Sequence, residues 1–214
     1  MGVYLNSFYP LCYTKKGELA VKKYGIPPFI DGSCRREPDF QNTYPPITGI
    51  CRLSKLLNRI VAGDLIIYIT SKGYYGLNFK HWKLICILKV NDIKPDHVSA
   101  ATYYSSLGLT MPSNLMLIGS HPEPIEKTHQ RVPAILKSGG IPVLRKWDAL
   151  YFDRARKEKR VAVCEVWNNQ LFLNTPPIIN EDMMFKIFGR IPMTMNPPIL
   201  NNNEWNNFKT LLIK

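Results

Sequence analysis

The chain has 214 residues and carries 28 Lys and Arg against 16 Asp and Glu, which gives a formal net charge of +12. Hydrophobic residues make up 45% of the chain and charged residues 21%, so the composition excludes an intrinsically disordered protein and favours one domain with a substantial core. The excess positive charge favours a polyanionic partner, with nucleic acid first among the candidates.

The sequence shows no pattern typical of a targeting signal, a metal site or a disulfide framework. Residues 1–6 lack the basic and then apolar order of a secretory signal, and no apolar run approaches the ~20 residues of a membrane helix. The five cysteines are odd in number, widely spaced and without a CxxC pair. We therefore expect a cytoplasmic protein with no cofactor, no metal and no membrane contact; the sequence does not indicate its oligomeric state.

The first half of the chain predicts three strands and three short helices. β-Branched and aromatic runs predict the strands, while apolar spacing or a capping residue predicts the helices. The strands cover 3–9, 65–70 and 82–93, and the helices cover 14–24, 52–59 and 96–107. Gly63 and Asp64 form a turn signal before the second strand. Asp96 is a good N-cap for the third helix, because its carboxylate can accept the unpaired amide hydrogens of the first turn.

The second half is less regular and predicts one strand among helices. Its segments are a partly helical stretch over 123–137, a helix over 147–159, a strand over 160–167 and helices over 181–188 and 203–213. Strands separated by helices and long loops, without regular βαβ units, indicate an α+β fold with a small mixed sheet or an open barrel. The lack of a glycine-rich phosphate loop argues against a doubly wound nucleotide-binding fold.

Charged side chains are concentrated in a loop over 31–39. The loop holds three acidic residues and two arginines: Asp31, Arg35, Arg36, Glu37 and Asp39. Paired carboxylates could bind a metal or transfer protons, whereas the arginines could bind phosphate or a guanine edge. The alternative is a set of ion pairs that only fixes a turn.

Aromatic residues are concentrated around the turn between the strands over 65–70 and 82–93. They are Tyr68, Tyr74, Tyr75, Phe79 and Trp82, and they alternate with Lys72, Lys80, His81 and Lys83. Aromatic faces can stack on bases while neighbouring cations bind phosphates. The alternative is structural, with Tyr68 and Trp82 in the core and the remaining tyrosines covering the end of a barrel.

A second basic segment lies at the end of the helix predicted over 147–159. Its basic residues include Arg154, Arg156, Lys157 and Arg160. On a helix, Arg156 and Arg160 share one face, as expected of a helix that follows a phosphate backbone and equally of a solvated helix face.

The four histidines are weak signals for a site. They lie far apart, without an HExxH spacing, and no serine stands in a GxSxG motif. We expect His81 to line a pocket and His97, His121 and His129 to lie at the surface.

One stretch of the chain resembles a known superfamily. The order of a helix, Gly63-Asp64-Leu65-Ile66-Ile67-Tyr68, a variable loop and Trp82-Lys83-Leu84-Ile85-Cys86-Ile87-Leu88-Lys89-Val90 resembles the PUA-like superfamily, which includes EVE, ASCH and YTH domains. Pro28-Phe29-Ile30-Asp31-Gly32-Ser33 with Asp39-Phe40 also resembles the nucleotide-modification-associated domain families found beside bacterial and phage DNA-modification genes. The likeness covers about residues 3–105.

This resemblance implies a small mixed or antiparallel barrel with peripheral helices, in a single domain over 1–214. Residues 1–110 would form the PUA-like core, and 111–214 would complete the sheet and add helices. The barrel would accept an extruded or single-stranded base in an aromatic pocket. The residues expected to stack are Tyr68, Tyr74, Tyr75 and Trp82, and those expected to bind the base edge are Ser33, Asp31 or Asn78. The residues expected to bind phosphate are Arg35, Arg36, Lys72, Arg154, Arg156, Lys157 and Arg160.

The sequence thus predicts a nucleic-acid-binding protein that recognises a modified or flipped base, in DNA rather than RNA, in a modification or defence context. One alternative is a small nuclease or amidohydrolase acting on nucleic acid or modified nucleosides. Its catalytic residues would be Asp31, Glu37 and Asp39, with Arg35 and Lys72 beside them. The other alternative is a basic module that binds an acidic protein.

Overall fold

The computed structural model describes residues 1–51, 55–130 and 143–213, and for 143–147 the backbone alone. In these ranges the predicted α+β class is confirmed: a mixed sheet of six strands curls into half a barrel, and five α-helices flank it. The strands are β1 Val3–Phe8, β2 Pro46–Thr48, β3 Leu65–Thr70, β4 Trp82–Lys94, β5 Val161–Leu171 and β6 Ile178–Ile179. The helices are α1 Lys15–Tyr24, α2 His97–Ser106, α3 Val143–Lys157, α4 Glu181–Phe188 and α5 Asn202–Leu212.

Both halves of the chain contribute to the sheet. The strand order is β1-β3-β4-β5-β2, and β6 pairs with the beginning of β4. β1 runs parallel to β3, with Val3 opposite Leu65 and Phe8 opposite Thr70, whereas the other pairings are antiparallel. β5, from the second half of the chain, therefore lies between β4 and β2, which belong to the first half.

The central strands are apolar throughout because both faces of the sheet are covered. In β3, Ile66 and Tyr68 point to one face, while Leu65 and Ile67 point to the other, as the two-residue period of a strand requires. The first face carries a core that includes Phe8, Phe40 and Tyr68. The second face packs against α4 and α5 through residues that include Met184, Ile187, Trp205 and Phe208.

Side-chain caps explain where several helices begin. Asp96 accepts a hydrogen bond from the Ser99 amide at 2.7 Å, which confirms the predicted N-cap of α2. At α5, Asn201 and Glu204 exchange side-chain-to-backbone hydrogen bonds of 2.9 Å, a capping box. α1 ends at Gly25, whose φ of 63° is left-handed and suits glycine.

Several predicted boundaries differ from the structure. β5 continues to Leu171, four residues beyond the predicted end at 167, and α3 begins at Val143 rather than at 147. Of the partly helical stretch predicted over 123–137, the described part contains a 3-10 turn at Ile125–Lys127, and the rest lies outside the described residues. The helix predicted over 52–59 is described only from 55, where the chain forms turns. In the described part of the chain, no helix is both long and apolar enough to cross a membrane.

Candidate functional site

A cavity of about 370 Å³ opens on the first face of the sheet. Its walls come from distant parts of the chain: β1, the loop over 31–37, β2, residues 55–57, β3, residues 129–130 and α3. This volume falls in the range of roughly 300–1,000 Å³ that is usual for small-molecule sites. Because apolar and aromatic side chains line it together with a few polar groups, as is usual for ligand sites, this cavity is the candidate site of the fold.

Aromatic rings form part of the cavity wall. Tyr68 is buried and contacts the Phe40 ring edge-on, with 5.2 Å between centroids, while Phe8 lies 6.3 Å away. Tyr151 lines the cavity from α3, and Tyr9, which is 50% exposed, lines it from the end of β1. Phe8 and the three tyrosines thus form the aromatic part of the cavity lining.

Asp31 and Ser33 provide polar groups in the same wall. The Ser33 amide donates a hydrogen bond of 2.9 Å to Asp31 Oδ1, and the Ser33 hydroxyl donates to the same oxygen, which fixes the turn. The second carboxylate oxygen of Asp31 has no hydrogen bond among the described residues. It can accept a hydrogen bond from a ligand.

His129 packs directly against the backbone of Gly32. Its amide donates a hydrogen bond of 2.9 Å to the Gly32 carbonyl, and a Cβ atom at position 32 would lie 2.1 Å from His129 Nδ1. Only glycine leaves room for the imidazole there. Burial lowers the pKa of His129, although the nearby Asp31 partly opposes this, so the imidazole is neutral at neutral pH.

Glu37 is a buried, hydrogen-bonded part of the cavity wall. The Thr48 amide donates to Oε1 at 2.7 Å and Asn114 Nδ2 donates to Oε2 at 2.9 Å. Burial raises the pKa of Glu37 to about 8, outweighing the lowering effect of these hydrogen bonds. The carboxyl group is therefore mostly protonated at neutral pH, and it ties the loop to β2.

The three acidic residues proposed as catalytic do not form one cluster. Asp31 and Glu37 line the cavity on the first face, whereas Asp39 lines a separate polar cavity of about 430 Å³ together with Arg36. Asp39 Oδ2 accepts hydrogen bonds from the Ser113 amide at 2.9 Å and hydroxyl at 3.0 Å. This division argues against a shared reaction centre for the three carboxylates.

Arg35 and Arg36 use their guanidinium groups inside the protein. Arg35 is fully buried, and its Nε donates to Asp148 at 2.7 Å while Nη1 donates to the Ser120 hydroxyl at 3.1 Å. Arg36 Nη1 donates to the Asp31 carbonyl at 2.6 Å. A phosphate in solvent cannot reach Arg35 without disrupting the loop, so for this residue the structure supports the alternative of an ion pair that fixes the loop, whereas Arg36 lines the polar cavity that contains Asp39.

Of the five residues predicted for a base pocket, two line the cavity: Tyr68 and Ser33. Trp82 is buried on the second face, under the ammonium group of Lys72, which itself forms an ion pair with Glu181. Tyr74 is exposed, and Tyr75 packs edge-on against the buried His81 ring at 5.5 Å. Three of the five aromatic and polar candidates therefore lie elsewhere.

One lysine and one arginine line the cavity. Lys55 and Arg154 line it directly, and Arg160 Nη2 donates a hydrogen bond of 2.6 Å to Asn58, which joins the segment 153–160 to the segment 55–59. We call these two segments the basic rim; they contain seven basic and two acidic residues. Of the predicted phosphate-binding residues, the rim holds Arg154, Arg156, Lys157 and Arg160.

The cavity also contains residues that sequence reasoning missed. Gln130 Nε2 donates to the Tyr151 hydroxyl at 3.0 Å, and the Cys34 amide donates to Gln130 Oε1 at 3.2 Å. His129 was expected at the surface and lines the cavity instead, and His97 is buried, with its Nδ1 accepting from the Met116 amide. No local pattern marks these residues, since their partners are far away in the sequence.

Comparison with known proteins adds no relative. No protein-family model, no curated protein and no solved structure matches this chain. Among the described residues, no group of three or more His, Cys, Asp or Glu side chains is arranged to hold a metal ion. The residues and their geometry are therefore the basis on which a function can be inferred.

Proposed function

We propose that this protein binds nucleic acid and holds one extruded or single-stranded base, a modified base in DNA, in the cavity on the first face. The observation that carries the proposal is the division of roles around the cavity. Aromatic rings and polar groups lie inside, and the basic rim beside them holds seven basic against two acidic residues. A base needs aromatic and polar contacts, and its phosphates need positive charge.

The energetics of base binding fit this cavity. Removing a base from its stack costs a few kcal/mol, which the pocket must return through stacking and hydrogen bonds. Stacking on an aromatic side chain contributes about 1–3 kcal/mol per base, and Tyr68 and Tyr151 provide rings. The open oxygen of Asp31 can accept from a base N–H group, and the neutral His129, whose Nδ1 donates to the Pro10 carbonyl at 3.4 Å, offers Nε2 as a second acceptor.

The resemblance to PUA-like and nucleotide-modification-associated domains supports the same function and favours DNA in a modification or defence setting. The curled mixed sheet is compatible with a PUA-like barrel. Tyr68, Asp31 and Ser33, which carry part of that resemblance, all line the cavity.

A hydrolase is the second candidate, and one observation favours it. The neutral imidazole of His129 lies beside the Asp31 carboxylate in the cavity wall, and such an imidazole can accept a proton from water. This candidate does not need Asp39, which lies in the other cavity. In this candidate, His129 and Asp31 take the place of the three carboxylates that were predicted as catalytic from the sequence.

Binding of a panel of modified and unmodified oligonucleotides, measured by fluorescence anisotropy across a salt series, tests the proposal. Lys55→Ala should weaken the binding of all oligonucleotides alike. It should also reduce the slope of log affinity against log salt by about one, the contribution of one phosphate contact. Asp31→Asn should leave that slope unchanged and reduce the preference for the favoured base by about tenfold, because a base-edge acceptor becomes a mixed donor and acceptor.

The control for Lys55→Ala is Lys186→Ala, which removes the same charge from α4 on the second face. It should leave both affinity and salt slope nearly unchanged. Two results would contradict the proposal: no binding of any oligonucleotide at low salt, or an unchanged base preference in Asp31→Asn. Formation of cleaved strands or free bases by the wild type, but not by His129→Gln, would instead support the hydrolase.

A further inference from the structure

Resting on the proposed function, we infer that the nucleic acid next to the bound base is a single strand whose bases stack along an exposed aromatic strip. The strip consists of Tyr9, Tyr13, Tyr74, Tyr75 and Phe79. It begins at the wall of the cavity and continues to the loop between β3 and β4.

The strip is continuous with the cavity. Tyr9 lines the cavity and is 50% exposed, and its ring lies 4.7 Å from that of Tyr13, which is 40% exposed. Tyr13 in turn lies 6.3 Å from Tyr75. A strand that leaves a base in the cavity therefore meets Tyr9 first and then Tyr13, whose ring contacts Tyr75 at the base of the loop between β3 and β4.

The loop at the far end of the strip is built to present its rings. The Gly73 and His81 backbones close the loop with two hydrogen bonds of 2.9 Å. Tyr75 lies beneath, with its hydroxyl bonded to the Ser71 carbonyl and its ring so close to Gly73 that a Cβ there would lie 2.8 Å away. This support leaves the Tyr74 and Phe79 rings facing solvent, 55% and 45% exposed.

Charge identifies the partner. A surface cluster of aromatic residues marks an interaction site, and cations between the rings favour a polyanion over an apolar protein or a lipid tail. Lys80 Nζ lies 5.5 Å from the Tyr74 ring centroid, and Lys83 Nζ lies 5.5 Å from the ring of Phe29, which contacts Tyr75. On the adjacent α4, Glu181 is paired with Lys72 and Asp182 lines a depression with Lys80, so these three lysines face two acidic residues. Bases can stack here while the lysines attract the phosphates.

The same geometry selects a single strand. In a duplex the faces of the bases are covered by their neighbours, so a protein ring can stack only where the strand is unpaired or opened. The exposed faces of Tyr13 and Tyr74 are therefore useful to single-stranded nucleic acid and give a duplex no comparable contact.

The test measures the binding of fluorescein-labelled oligothymidylates of increasing length, with a blunt duplex of the same length as the longest strand. We expect affinity to rise with strand length, to exceed that for the duplex and to fall by about tenfold in both Tyr13→Ala and Tyr74→Ala. Tyr74→Phe keeps the ring and should restore the affinity. Phe185→Ala removes an aromatic residue that is 52% exposed on α4 and should leave binding unchanged.

The result separates this inference from the proposed function. Binding that is insensitive to Tyr13→Ala and Tyr74→Ala, while Asp31→Asn still changes base preference, would overturn the aromatic strip and leave the cavity's function in place. Equal affinity for the duplex and the single strand would overturn the strip as well. If no oligonucleotide bound at low salt, both the aromatic strip and the proposed function of the cavity would be overturned.

Discussion

Between pH 6.5 and 8, the free energy of unfolding should fall by up to about 1.4 kcal/mol per pH unit because of Glu37 alone. Burial holds the pKa of this carboxyl group at about 8, against an ordinary value of 4.5, so the folded protein keeps a proton that the unfolded chain has already lost. The stabilisation is complete below the unfolded pKa and disappears as the pH rises through the folded one.

Urea unfolding of the wild type and Glu37→Gln across this range measures the effect. The variant cannot ionise, so its stability should change less with pH, and its stability relative to the wild type should rise by about 1.5 kcal/mol from pH 6.5 to pH 8. Glu126→Gln, at an exposed position, is the control and should retain the wild-type slope. Equal slopes for the wild type and Glu37→Gln would show that the carboxyl group is ionised in the folded protein.

Below pH 6.5, buried histidines make the free energy of unfolding rise with pH, which is opposite to the effect of Glu37. Burial lowers the pKa of His97 to about 4 from 6.5, so its contribution to stability is lost as the pH falls between these values. The stability profile should therefore have a maximum, and the range above pH 6.5 is where the effect of Glu37 is cleanest.

Asp148→Ala should lower the free energy of unfolding by about 3–5 kcal/mol, since it leaves the charge of Arg35 buried without its partner. Arg35 is fully buried and donates to Asp148 at 2.7 Å. This ion pair joins the loop over 31–39 to α3, the helix that provides Tyr151 and Arg154 to the cavity. We therefore expect base binding to weaken together with stability.

Chemical denaturation of Asp148→Ala, Arg35→Met and the double variant measures the coupling. The double variant should recover much of the loss, because it removes both charges from the interior. Asp153→Ala breaks the exposed pair with Arg156 and should cost less than about 1 kcal/mol. A loss in Asp148→Ala no larger than in Asp153→Ala would mean that Arg35 is solvated and not held by this pair.

Much of the fold is encoded in local patterns that can be read directly. β3 was predicted with its observed ends because six consecutive residues are apolar or β-branched and both faces of the strand are buried. α2 was predicted because Asp96 caps it, and α4 matches its predicted range of 181–188. Each of these signals needs only neighbouring residues, so a single sequence contains it.

The position of Trp82 shows where such patterns fail. Strand alternation alone would place Trp82 on the face of Cys86, whose pairing partner is Tyr68. Between these pairs and the beginning of β4 the register shifts by one residue, so that Ile69 lies opposite Leu84 and not opposite Ile85. A one-residue shift reverses the face of the β4 side chains beyond it, which include Trp82. Trp82 therefore lies on the second face, away from the cavity, and nothing in its own neighbourhood indicates the shift.

The cavity itself could be predicted only in part. Asp31, Ser33 and Tyr68 were proposed as site residues from the loop and the strand that contain them, and all three line it. His129 and Tyr151 join them through contacts with Gly32 and Gln130 that span the chain. Such contacts arise from packing between distant segments, which composition and periodicity do not reveal.

Cys51 allows the central claim, that a base enters the cavity, to be measured directly. This half-buried thiol lines the cavity, and a cysteine introduced by Lys186→Cys, at an exposed position of α4 on the second face, serves as an internal reference. Iodoacetamide labelling followed by peptide mass spectrometry gives both alkylation rates with and without the tightest-binding oligonucleotide of the panel. We predict that the oligonucleotide slows alkylation of Cys51 in proportion to the bound fraction and leaves the rate at the thiol introduced by Lys186→Cys unchanged. If binding were saturated and Cys51 were still alkylated at the rate seen without the oligonucleotide, the claim would be contradicted, because the nucleic acid would then lie outside the cavity.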